Sequence, residues 1–100
     1  MKSNYFISKL FNINYRMAIH EGNANRRLAS ETPNILFQLS PYQNLIPDRY
    51  KVEFVNLIGL VEITIEDSQG RLPIRMKGIQ NRTAAKYIKL LFDMREYLES

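Results

Sequence analysis

The chain contains no cysteine. That excludes disulfides, thiolate metal ligands and a cysteine nucleophile. Small secreted domains commonly depend on disulfide staples, so their absence points to a reducing, cytoplasmic setting. Long apolar runs are also missing. No stretch of the sequence approaches the about 18 continuous apolar residues of a membrane span. Residues 1–12 do not read as a signal peptide, because Lys9 interrupts an apolar run that is already too short. No membrane contact is expected.

His20 is the single histidine. With one His and no Cys, a zinc site needs three carboxylates to converge. The acidic cluster Glu62, Glu66 and Asp67 lacks the spacing of a calcium loop. No metal and no cofactor are therefore expected. The four glycines, at 22, 59, 70 and 78, stand apart, so neither a dinucleotide fingerprint nor a phosphate loop is present. His20 sits beside Glu21, but no Gly-x-Ser-x-Gly elbow accompanies it. A hydrolytic triad also needs a nucleophile and an oxyanion cradle, which no such motif supplies here. The expectation is a protein without catalytic residues, in which His20 is a structural or surface residue.

What the sequence does contain is a folded globule. One hundred residues, 45% of them hydrophobic, make one small domain over 1–100 rather than a disordered segment. No repeat or low-complexity tract interrupts it. The net charge is +4, and its distribution is uneven. Residues 1–27 carry five basic groups against Glu21 alone, and residues 48–67 carry five acidic groups against Arg49 and Lys51. From Arg71 to Lys89 there are six basic residues and no acidic one. Such segregation suits an anionic partner, either nucleic acid or an acidic protein surface.

The spacing of apolar residues predicts the elements. Ala84, Tyr87, Ile88, Leu91, Met94 and Leu98 share one side of a helix running from about residue 81, with Lys86, Lys89, Asp93 and Glu96 opposite. Asn81 or Thr83 can cap it, and Lys89 can pair with Asp93. Val61, Ile63 and Ile65 alternate with polar residues, as do Leu72, Ile74 and Met76, and the string 67–70 between them has turn chemistry. This predicts a β-hairpin over residues 60–77, with Pro73 on an edge strand and Glu62 and Glu66 facing Arg71 and Arg75. Residues 47–59 fit a helix entered at Pro47. A competing reading extends that helix to Gln69, stopped by Gly70, and makes the protein all-α. Tyr15, Met17 and Ile19 alternate and predict a strand, Asn23 caps a helix holding Ala24, Leu28 and Ala29, and Thr32-Pro33 opens a short helix with Ile35, Leu36 and Leu39.

Two strings carry the binding chemistry. In residues 21–28, Asn23, Asn25, Arg26 and Arg27 offer clustered donors of the kind that contact bases and phosphates; as purely structural residues, Asn23 is a cap and Asn25 is exposed. In residues 77–91, Gly78, an apolar residue, Arg82-Thr83 and then Tyr87-Ile88-Lys89 form a pattern similar to the turn and second helix of helix-turn-helix domains. The likeness spans fifteen residues, and Gly70 and Pro73 stand where that family needs a regular preceding helix, so the chain is not assigned to it. Arg82, Lys86 and Lys89 crowd the start of the last helix, where free N–H groups also attract anions. The expected fold is α+β, a small antiparallel hairpin or sheet packed with about three helices, the alternative being an all-α bundle. The expected function is non-enzymatic binding of nucleic acid, DNA or RNA, through Arg82, Lys86 and Lys89, helped by Arg75, Lys77, Arg26 and Arg27. The alternative is a protein-interaction adaptor, or a small subunit of a complex, that sets the same surface against an acidic partner.

Overall fold

The computed structural model describes residues 2–100, and every regular element among them is helical. Helix α1 spans Lys2–Ile19, α2 Ala24–Ser30, α3 Thr32–Asn34, α4 Asp48–Asp67 and α5 Asn81–Glu99. Between α3 and α4 the chain makes a π-helical turn, Ile35–Leu39, and a 3₁₀ segment, Ser40–Leu45. The expected α+β fold is thus corrected to the all-α alternative, since no strand occurs among the described residues.

The predicted hairpin fails for a physical reason. Phe54, Leu57, Val61 and Thr64 recur at helical spacing and are all buried on one stripe of α4. Burying large apolar side chains is worth about 1.5–3 kcal/mol each. The helix penalty of a β-branched residue is only about half a kcal/mol, so burial wins over local propensity. The alternation of Val61, Ile63 and Ile65 is incidental to this stripe, for Ile63 remains 53% exposed. The second half of the expected hairpin is irregular. Gln69 and Gly70 adopt left-handed φ of 54° and 85°, which ends α4, and Pro73, without an N–H, is buried in the connection that follows. Among the described residues neither Glu62 nor Glu66 forms an ion pair with Arg71 or Arg75.

The predicted strand at 15–19 is instead the end of α1. That helix buries Phe6, Leu10, Ile13 and Met17 at helical spacing, while Tyr15 and Ile19 stay exposed. The cap of α2 and the position of the last helix agree with the sequence. Asn23 caps α2, its Oδ1 accepting the Arg26 N–H at 2.9 Å. The last helix lies where its periodicity places it, burying Ala84, Leu91 and Met94 together with Leu90, and Lys89 pairs with Asp93 at 2.7 Å. Its N-cap is Gln80 rather than Asn81 or Thr83, and no side chain caps it. Thr32 lies inside α3, whose cap position is Glu31.

One core joins the helices, with Leu10, Ile13, Leu28, Ile35, Phe54, Leu57, Met76 and Leu91 fully buried in it. Helices α1 and α5 pack together: the Asn14 amide donates to the Leu91 carbonyl at 3.3 Å, and the Arg95 guanidinium lies 5.2 Å from the Phe11 ring centre. Glu31, buried, accepts from Arg16 through both carboxylate oxygens at 2.9–3.1 Å and from Asn34 at 3.0 Å, tying the end of α1 to α3. Leu91→Ala should lower stability by about 2–5 kcal/mol, because truncating a buried leucine leaves a cavity. Asp93→Ala removes only a partner of the exposed Lys89 and should cost less than about 1 kcal/mol. Urea denaturation of the two variants measures both; equal losses would mean that the buried face of α5 lies elsewhere.

Candidate functional site

The candidate site is the junction of α2, the 68–80 connection and the start of α5. Its framework is a turn at residues 20–23. The Gly22 N–H donates to His20 Nδ1 at 2.9 Å, and Arg27 Nε donates to the Gly22 carbonyl at 2.7 Å. His20 is therefore engaged in shaping the turn. A Cβ at position 22 would stand 2.8 Å from the His20 ring and 2.9 Å from the Arg26 Cβ, which is why the turn needs glycine.

Asn25 does the joining. It is buried, not exposed as the sequence suggests for a purely structural residue. Its Oδ1 accepts the Met76 N–H, and its Nδ2 donates to the carbonyls of Ile79 at 3.1 Å and Met76 at 3.4 Å. Its own N–H donates to Asn81 Oδ1 at 2.9 Å. From the other side, Thr64 Oγ1 on α4 accepts the Lys77 N–H at 3.0 Å. Two buried polar side chains thus satisfy the backbone of a connection that has no secondary structure of its own. The spacing of Asn25 with Leu28 and Ala29, three and four residues on, was the available sign that it faces inward.

The result is a cleft of about 400 Å³ lined by Asn23, Arg26, Ile74, Arg75, Gln80 and Asn81, with Asn25 at its wall. It opens beside the uncapped N-terminus of α5, whose first turn contains no acidic residue. A second, more apolar groove of about 470 Å³ lies across the α2–α5 contact, between Ala24 and Arg27 on one side and Ala85, Ile88, Lys89 and Phe92 on the other.

The seven predicted cations divide accordingly. Arg26 and Arg75, distant in sequence, share the first cleft. Arg27 and Lys89 share the groove, but each is engaged, Arg27 with Gly22 and Lys89 with Asp93. The hydrogen bond and charge of Asp93 raise the Lys89 pKa above its ordinary value. Lys77 is turned away, 3.6 Å from Asp67. Arg82 and Lys86 are exposed on α5 and line neither cavity. Among the described residues, Arg26, Arg75, Arg82 and Lys86 have no ion-pair partner. Asn23, Gln80 and Asn81 are the lining residues that the charge pattern alone does not reveal.

Set against known proteins, the chain matches no family model, no curated protein and no solved structure. Among the described residues no helix is long and apolar enough to cross a membrane.

Gly22→Ala should destabilise the fold by about 1–3 kcal/mol through the clash with His20 and Arg26. Adding His20→Ala should recover part of that loss, since the nearest clashing group is then gone. Thermal or urea melts of the single and double variants measure the coupling; additive losses would mean that the turn tolerates a Cβ.

Proposed function

We propose that the protein is a non-enzymatic binder of nucleic acid that holds phosphate groups at the α2–α5 junction. One observation carries the reading. Arg26 and Arg75, neither neutralised by a described carboxylate, converge on one polar cleft with Asn23, Gln80 and Asn81, at the uncapped start of α5. Guanidinium groups hold phosphate oxygens bidentately, amide side chains add neutral donors, and exposed helix N–H groups add a favourable dipole. Arg82 and Lys86, one turn apart on α5, extend the positive surface beyond the cleft, which suits a polymer of phosphates better than a single small anion. Exposed Leu72 and Ile74 lie between Arg71 and Arg75, so apolar contact with sugars or bases is available next to the charge. The absence of cysteine supports a cytoplasmic setting for this activity.

The weight of binding then falls on Arg26 and Arg75 rather than on the row of Arg82, Lys86 and Lys89. The double variant Arg26→Gln with Arg75→Gln should weaken binding across sequences. Its salt slope should fall by up to about one unit for each phosphate that is no longer neutralised. Arg82→Gln with Lys86→Gln should weaken binding less, and Lys77→Gln hardly at all. Fluorescence anisotropy with duplex DNA, single-stranded RNA and an acidic control protein, each at several salt concentrations, makes the comparison. Unchanged affinity and slope in the Arg26/Arg75 variant would remove the cleft as the site. Equal, weak binding to all three probes by the parent would remove nucleic acid as the partner.

A further inference from the structure

Helix α4 presents an apolar stripe on the side facing away from the core. Val52, Val55 and Ile63 are 74%, 55% and 53% exposed, and Gly59 lies between them on the same line. Phe54, Leu57, Val61 and Thr64 occupy the opposite, buried side. Singly exposed apolar residues are ordinary, but a row of them along one helix face marks a contact surface. Gly59 adds to this. A Cβ there would meet nothing within 4 Å, so packing within the chain does not require glycine at that position. Glycine is among the weakest helix formers, and its use mid-helix is explained where another backbone approaches closely.

The charges on α4 identify what approaches. Asp48, Arg49 and Lys51 stand in its first turn, one net positive charge, and Glu62, Glu66 and Asp67 stand in its last two turns, three negative ones. We infer that two copies of the chain pair antiparallel along this face, with Gly59 meeting the partner's Gly59 at the two-fold axis. Residues equally distant from position 59 then oppose each other. Val55 faces Ile63, Arg49 meets Asp67 along one flank of the stripe, and Lys51 meets Glu66 along the other. The two ends of the surface are then complementary in net charge, as a two-fold contact requires. A parallel pair would instead set the acidic ends against each other. The present ion-pair partners of these charges are exposed and exchange at little cost: Lys51 lies 3.4 Å from Asp48 and Asp67 3.6 Å from Lys77, while Arg49 lies 4.8 Å from the centre of the Tyr97 ring. The pairing uses none of the cleft residues and stands independently of nucleic-acid binding.

Sedimentation equilibrium of the full chain tests the pairing. The parent should associate reversibly toward twice the chain mass. Arg49→Glu with Lys51→Glu should raise the dimer dissociation constant at least about tenfold, and so should Glu66→Lys with Asp67→Lys. Mixing these two variants should restore association, because the opposite charges then face each other again. Circular dichroism verifies that each variant stays helical. Since the chain has no other thiol, Gly59→Cys should cross-link under mild oxidation far faster than Ser8→Cys on α1. A parent that remains monomeric to about 1 mM, the weak end of specific affinity, overturns the inference. So does a parent dimer that the charge variants leave intact, or one in which Gly59→Cys cross-links no faster than Ser8→Cys.

Discussion

The hydrogen bonds of one buried amide, Asn25, hold this small fold in the form that makes its cleft. The 68–80 connection carries no helix or sheet to satisfy its backbone, yet Met76 must reach the core through it. A buried N–H or carbonyl left without a partner costs about 1–3 kcal/mol. Asn25 removes that cost at Met76 and Ile79, while Thr64 does the same at Lys77. Because the Asn25 N–H also engages Asn81, the same residue fixes the start of α5 against α2. Arg75 and Arg26 come together as a consequence, although neither bonds to the Asn25 side chain.

The parts of this arrangement that were legible in the sequence are those where local chemistry and tertiary packing agree. The stripe of α5 is one case, and the Asn23 cap is another, because its side chain bonds within the same turn. The parts that were not legible are those where two periods coincide. Val61, Ile63 and Ile65 satisfy a strand pattern and part of a helix pattern at once, and only the burial of Phe54 and Leu57 on the same stripe decides between them. Residues 15–19 mislead in the same way, since Met17 belongs to the stripe of Phe6, Leu10 and Ile13 while its neighbours Tyr15 and Ile19 do not. Both cations of the cleft, Arg26 and Arg75, were legible from charge alone. Their grouping was not, because it depends on hydrogen bonds across about fifty residues of sequence, between Asn25 and the 76–79 segment.

Charge segregation along the chain becomes charge segregation in space. Basic residues from two segments meet at the α2–α5 junction, and the acidic residues of the middle segment stay on α4. The fold therefore keeps a positive cleft free of local carboxylates and leaves α4 with a separate surface of its own.

Backbone hydrogen exchange at Met76 tests the central role of Asn25 most directly. Met76 lies in an irregular segment, where an amide normally exchanges quickly, but its N–H is bonded to a buried side chain. If Asn25 holds the connection, Met76 is protected in the parent and loses that protection in Asn25→Ala, while the Leu91 amide in the middle of α5 stays protected in both. Rapid exchange at Met76 in the parent, or protection that survives Asn25→Ala, would contradict that role.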